Sequence, residues 1–400
     1  MWLRYGVNQD NNLVPIEECP RGKTELRCPY CGGKLTAKKG RIKEHHFAHD
    51  GETCREVASK SREAPNLPLY DSFNISLTGK ELEHLKQLWN KYGCINKGIN
   101  ESEIKSVFIK KELLKYNDYR RYGSYEFTKL GKIPVGTLSL MLFNQIQEPL
   151  IEEKLQKLDK KARLYYLNGE SSFNESLSDL QIFRAELKKI LSNTLYYLQI
   201  NVDGKTFYKI GITTRNVTER VYEIKQDLLK HFQSCSIKVL GQWQHRGNVE
   251  KYFKYRYAPH NYPIGNLTEY YKFEVEGEGK AALTDLRRMK KKVLSSVESD
   301  ILAGKPSLVE ELLEELLGEE RRSLAIKTGM KRAAHWGTHI GRPVGSETEK
   351  EFLAKPSSQL VAAALDQGLS LRKAAEAADA SVNTVRKVKA LLEKAGSGYL

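Results

Sequence analysis

Thr194-Leu-Tyr-Tyr-Leu-Gln-Ile200, then Asp203-Gly204, then Phe207-Tyr-Lys-Ile-Gly-Ile212 is the stretch that decides how the middle of this chain folds. Its outer pieces are rich in aromatic and β-branched residues, which suit a half-buried pleated strand, and Asp-Gly between them is a hairpin turn signal. Two antiparallel strands are expected. Thr213-Thr-Arg-Asn-Val-Thr-Glu-Arg220 then opens a helix. Successive strand side chains point to opposite faces, so Tyr196 and Tyr197 cannot both line one pocket, and Tyr208 and Lys209 separate in the same way. Arg220 stands nine residues after Gly211, on the helix, and Arg215 lies in the loop before it.

Outward from this hairpin the chain reads as an α+β multidomain protein. Residues 1–60 are short and turn-rich. Residues 65–185 are polar and lysine-rich, and the helical periodicity of Gly79 to Tyr92 and of Pro149 to Leu158 predicts a mainly helical region. Residues 190–275 hold the hairpin. Residues 276–324 carry both charge signs and read as a helical linker, and residues 325–400 as a basic arm followed by helices. The 400 residues contain 65 Lys plus Arg against 50 Asp plus Glu, a formal net charge of +15. That excess favours a polyanion, because each phosphate contact releases condensed counterions. No apolar run approaches the ~18 residues of a membrane span, and the first residues lack the charged head and apolar stretch of an export signal. No membrane partner is expected; a cytoplasmic location is, nucleoid-associated or in the host-cell cytoplasm if the chain is phage-encoded.

The six cysteines are unevenly placed: Cys19, Cys28, Cys31 and Cys54 fall in the first 54 residues, and Cys94 and Cys235 stand apart. A disulfide scaffold would be denser and exported, so metal binding is the better account. Cys28-Pro-Tyr-Cys31 is followed, after fourteen residues, by His46-Phe-Ala-His49. Two thiolates on a tight knuckle and two imidazoles can close a tetrahedron around Zn²⁺. Cys28, Cys31, His46 and His49 are the expected ligands; His45, Cys19 or Cys54 could substitute for one of them. So small a block would owe much of its stability to the metal.

At the other end, Ser357 to Asp366 reads as an alanine-rich helix, Leu371 to Ala378 as a second, and Val382 to Leu392 as a third capped by Ser381. Ala374, Ala375 and Ala378 let helices cross closely, with Leu371, Val382, Val385 and Leu392 filling the space between. Ser381, Asn383, Thr384, Arg386 and Lys387 are left toward solvent. In a helix-turn-helix these are the positions that meet major-groove edges and flanking phosphates.

Three resemblances follow. The order of tyrosine, hairpin, Lys209-Ile-Gly211 and helix arginine resembles the GIY-YIG nuclease superfamily, in the branch whose second triplet reads KIG. The resemblance makes Tyr196, whose Tyr-x-Leu spacing follows the first triplet, the family's first tyrosine, with Tyr197 in reserve. It matches Val249-Glu250-Lys-Tyr-Phe253 to the helix presenting the metal-binding glutamate, and Leu267-Thr-Glu-Tyr-Tyr-Lys-Phe273 to the closing strand. It implies an α/β nuclease domain with a small antiparallel sheet flanked by helices, and phosphodiester hydrolysis with Mg²⁺ on Glu250. Lys209 stands where many relatives carry a second tyrosine; it can donate to phosphate. The CPYCGG…HHFAH pattern resembles the N-terminal zinc-finger-like segment of the competence protein CoiA family, which precedes a nuclease domain there. Gly341-Arg-Pro343 followed by the last helices resembles the DNA-binding end of serine recombinases, which implies an arm, with Arg342, along the minor groove. The whole implies a site-directed endonuclease on double-stranded DNA. A nuclease joined to a separate reader is also the layout of homing endonucleases, which implies a mobile-element role; a DNA-binding regulator with an inactive nuclease fold, or a structure-selective repair or competence nuclease, are the alternatives.

Overall fold

A computed structural model of the chain describes residues 2–10, 12–40, 44–58, 65–120, 123–170, 172–315 and 348–396. It divides into two units, Met1–Leu312 and Leu313–Leu400, each described by itself. The first begins with short strands β1 (Tyr5–Val7), β2 (Leu13–Pro15), β3 (Gly22–Arg27), β4 (Lys34–Lys38) and β5 (His46–His49), in the antiparallel order β2-β1-β3-β4-β5, closed by helix α1 (Arg55–Ala58). Leu3, Ile16, Leu26, Leu35 and Phe47 fill its core.

Helix α2 (Gly79–Leu88) starts in a capping box, Thr78 with Glu81, and runs into a π-turn at Trp89–Gly93. Helix α3 (Ser106–Lys110) and a hairpin of β6 (Leu114–Asn117) and β7 (Ser124–Phe127) pack with it around Leu85, Leu88, Ile99, Phe108 and Leu113. The region expected to be mainly helical thus includes a strand pair; only Leu114 of β6 and Phe127 of β7 are buried, so no apolar alternation marks it in the sequence. Helix α4 (Leu140–Leu167) is capped by Ser139 and contains Pro149 in its interior. The periodic segment Pro149 to Leu158 is therefore the middle of a longer helix, whose first turns bury Leu140, Phe143 and Gln147. Helix α5 (Phe173–Ser192) then leads into the expected hairpin.

β8 (Thr194–Val202) and β9 (Lys205–Thr213) pair from Thr194↔Thr213 to Val202↔Lys205. Asp203 and Gly204 both take positive φ, 45° and 76°, the primed turn whose twist suits the strands. Helix α6 (Val217–Leu228), β10 (Cys235–Gln244), helix α7 (Val249–Arg256) and β11 (Tyr270–Tyr271) complete the domain, with sheet order β10-β8-β9-β11. Side-chain alternation sorts two cores. Tyr196, Leu198, Ile200 and Phe207 face α6 through Val217, Ile224 and Leu228. Leu195, Tyr197 and Ile210 face α4 and α7 through Phe143, Val249, Tyr252 and Phe253.

Helix α8 (Glu276–Arg287) places Ala282 and Leu286 in the second core, and Asp285 accepts the Leu140 N–H at 3.0 Å. Helix α8 is therefore part of the first unit's core, where residues 276–324 were expected to be a linker: Ala282 and Leu286 are buried in it, and the helix packs on α4. Helix α9 (Ser296–Ala303) follows, then a helical run α10 (308–315). In the second unit, α11 (Glu349–Leu353), α12 (Pro356–Asp366), α13 (Leu371–Ala377) and α14 (Val382–Gly396) enclose Val361, Ala364, Ala374, Ala375, Val385 and Val388. Among the described residues no helix is long and apolar enough to cross a membrane.

Candidate active site and metal centre

Tyr196 pairs with Gly211 across the hairpin. A Cβ at Gly211 would fall inside the Tyr196 phenol, so glycine at this position is what lets the ring lie across the neighbouring strand. Lys209 and Tyr270 share the same face: Tyr270 pairs with Lys209, whose ammonium sits 4.8 Å from the Tyr270 ring centre. Tyr197 is buried on the opposite face, its ring stacked on Tyr208 at 5.7 Å, and its hydroxyl has no hydrogen-bond partner among the described residues.

Arg220, on the second turn of α6, bears on the Tyr196 hydroxyl and holds Glu223 at 2.6 Å. Arg215 holds the same carboxylate at 2.8 Å. Glu250 is on the first turn of α7, which is fixed by Asn248: its amide donates to Asn144 Oδ1 and Gln147 Oε1 on α4, both at 2.8 Å. Glu250 is largely shielded and meets Lys254 at 3.2 Å. Lys254 also meets Glu269 at 2.6 Å, and the other oxygen of Glu269 accepts from Lys209 at 3.0 Å. A chain of alternating charge, Glu250–Lys254–Glu269–Lys209, thus runs beside Tyr196 and Arg220.

The electrostatics follow from burial and these pairs. Burial pushes the Glu250 carboxyl up; Lys254 opposes this and Glu269 adds to it. Burial works against ionised Glu269 too, but Lys209 and Lys254 outweigh it and hold that carboxyl at about 2. Burial lowers the Lys209 ammonium in spite of Glu269. The Tyr196 phenol is raised by burial, with Arg220 opposing and Glu269 and Glu250 adding to the rise. At Tyr196, burial and the two carboxylates thus outweigh the one guanidinium.

Lys254 and Glu269 were not foreseen as part of the site. The spacing of Glu250 and Lys254, four residues apart on a helix, was the available signal for the first. Glu269 lay in the segment matched to the closing strand, and only the fold brings it to Lys209.

The amino-terminal cluster gathers Cys28, Cys31, His49 and Cys54, with ligand atoms all within 4.8 Å of one another. Cys31 Sγ lies 3.3 Å from His49 Nε2, and Cys28 Sγ lies 3.9 Å from Cys54 Sγ. The Gly33 N–H donates to Cys31 Sγ at 3.4 Å. His46 is replaced by Cys54. His46 and His49 both belong to β5, and an odd spacing on a strand sends them to opposite faces; His46 instead directs Nδ1 at the Glu44 carbonyl and lies against Trp2. Burial pushes the Cys54 thiol up to about 12, and the nearby sulfurs of Cys28 and Cys31 add to the rise. Three sulfurs this close become thiolates readily only around a cation, and a Cys₃His donor set with tetrahedral spacing fits structural zinc.

In the second unit Ser381 caps the last helix, its Oγ accepting from Thr384 N–H at 3.1 Å. Asn383, Arg386 and Lys387 are exposed along one side, Thr384 is half-buried, and Lys387 also lies 4.1 Å from the Phe352 ring centre. Arg342 lies outside the described residues.

Residues 14–56 match the family described as competence protein CoiA, N-terminal domain, a window that takes in all four residues of the cysteine–histidine cluster. Residues 193–291 match the T5orf172 domain, a window holding Tyr196, Lys209, Arg220, Glu250, Lys254 and Glu269. No curated protein and no solved structure matches the chain. Both similarities point to a competence-related or nuclease-like protein that acts on DNA.

Proposed function

We propose that this chain is a magnesium-dependent endonuclease of the GIY-YIG type that hydrolyses phosphodiester bonds of double-stranded DNA at sites selected by its C-terminal helices. The observation that carries the reading is the convergence of Tyr196, Lys209, Arg220 and Glu250, from the four elements β8, β9, α6 and α7, close enough for their charges to act on one another. Glu250 is the residue that would hold the cation. A carboxylate is the hard oxygen donor that Mg²⁺ prefers, and Lys254 already rests against it, so the position accepts positive charge. When bound, the ion would offset negative charge building on the phosphate. Arg220 grips nonbridging oxygens, Lys209 donates to a phosphate oxygen, and the Tyr196 hydroxyl relays a proton.

Zinc on Cys28, Cys31, His49 and Cys54 serves structure. Asn383, Arg386 and Lys387 read the DNA beside Ser381 and Thr384, as in a serine-recombinase helix-turn-helix, and the arm with Arg342 follows the minor groove. The separate reader suits a homing or mobile-element role.

The test is incubation of the full chain with a plasmid library and Mg²⁺, followed by sequencing of the new ends. Cuts at a recurring sequence are expected, none with Glu250→Ala. Arg220→Ala should cut about a hundredfold more slowly with nearly unchanged DNA affinity. A wild-type rate would remove Arg220 from the site. Scattered ends would indicate selection by DNA structure, and a wild-type chain that binds without cutting would overturn the catalytic reading.

A further inference from the structure

Residues 57–192 lie outside both matched windows, and within them the sequence Lys115-Tyr-Asn-Asp-Tyr-Arg120 and Ser124-Tyr-Glu-Phe127 interleaves tyrosines with cations. The β6–β7 hairpin sets Tyr116 opposite Tyr125, with ring centres 5.3 Å apart and edge-to-face. Gly123, at φ +53°, leaves the space that the Tyr116 phenol occupies. Arg120 fixes the hairpin by donating to the backbone and side-chain oxygens of Asn96, both at 2.9 Å. Between this hairpin and the segment 97–101 lies an open cleft of about 640 Å³.

Two features of the cleft lie outside the core of the fold. Tyr116 is 52% exposed, and Tyr119, next in sequence to the cleft-lining Arg120, is 101% exposed. Neither ring is needed for the small core beneath, which Leu113, Leu114 and Phe127 fill. Lys97 on the cleft wall is exposed, its ammonium 5.9 Å from the Tyr92 ring centre, and among the described residues no carboxylate pairs with it. An aromatic face beside an exposed cation is the arrangement that receives a base and its phosphate, and stacking needs a base that is not already stacked and paired.

We propose that this cleft binds a single nucleic-acid strand, a base stacking on Tyr119 or Tyr116 and a phosphate meeting Lys97. The net charge of +15 supports a polyanion over a peptide or an apolar ligand. The block is tied to the helix that carries Glu250. Tyr252 and Arg256 donate to the Leu138 carbonyl at 3.1 and 2.7 Å, and the Tyr255 hydroxyl donates to the Pro134 carbonyl. A strand held here is held on the same scaffold as the candidate active site. The substrate class this adds is DNA with an unpaired segment next to the duplex. Binding at the cleft does not depend on the cutting chemistry.

Fluorescence anisotropy of the full chain, with magnesium omitted, tests it using an oligothymidylate of about 20 nucleotides and, separately, a duplex of the same length. Tyr119→Ala combined with Tyr116→Ala should weaken oligothymidylate binding about tenfold and leave the duplex unchanged. Tyr119→Phe, which keeps the stacking face, should bind as wild type, and Tyr119→Ala alone, at a side chain without packing contacts, guards against misfolding. Lys97→Gln should reduce the salt slope for the oligonucleotide by about 0.7. Unchanged oligonucleotide affinity in both alanine variants, or equal losses for oligonucleotide and duplex, would overturn the proposal.

Discussion

At the scale of single residues, the chemistry of this chain depends on where atoms are left out as much as on where they are placed. Gly211 has ordinary strand geometry, so its glycine is not explained by the backbone; it is explained by the Tyr196 ring lying over it. Gly211→Ala forces ring and methyl into the same space. The expected cost is about 1–3 kcal/mol, the range for overpacked interiors, read as a lower urea midpoint. A variant as stable as wild type would mean that the phenol lies elsewhere. Glu269 is the complementary case, a side chain with two cations and one carboxyl. Its folded-state pKa of about 2 lies below the ordinary 4.5. The stability it contributes is therefore complete above the unfolded value and is lost as pH falls through the folded one. Denaturation midpoints measured from neutral pH down to about 2 should show wild type more stable than Glu269→Gln above roughly pH 4.5, with the gap closing in acid. A gap that widens toward low pH would contradict the Lys209 and Lys254 pairings.

At the scale of elements, strand alternation explains both what was legible and what was missed. It separates Tyr196 from Tyr197 and Lys209 from Tyr208, all readable from spacing once the hairpin is recognised. The same rule removes His46 from the metal centre, because the segment is a strand. Cys54, one of the three residues that could substitute for a ligand, arrives from the turn before α1. Metal analysis should find about one zinc per chain in wild type and in His46→Ala, and loss of zinc in Cys54→Ser. The reverse outcome would restore the histidine pair. The knuckle is also a docking point: Ser178 donates to the Pro29 carbonyl at 2.7 Å and Tyr30 donates to Asp179 at 2.9 Å, both on α5. Loosening the cluster therefore disturbs the helix that leads into β8.

At the scale of the whole molecule, the charge of +15 favours a polyanionic partner, and the chain divides into two compact units, the second of them helical. Removing residues 325–400 leaves the first unit complete. Such a truncated chain should lose its preferred cutting sequence while retaining slow, metal-dependent nicking, as seen by end-sequencing on the same plasmid library. Retained sequence preference would place target selection in the first unit.

Local patterns in the sequence determined the hairpin, its primed turn, the two faces of β8 and β9, the cysteine knuckle and the capped last helix, because each is set by residues within a few positions of one another. Only the tertiary structure decided that α8 is core instead of linker, that Cys54 stands where His46 was expected, and that Glu269 and Lys254 join Lys209 and Glu250. These are encounters between residues distant along the chain. Burial and packing select them, and no periodicity or spacing records them.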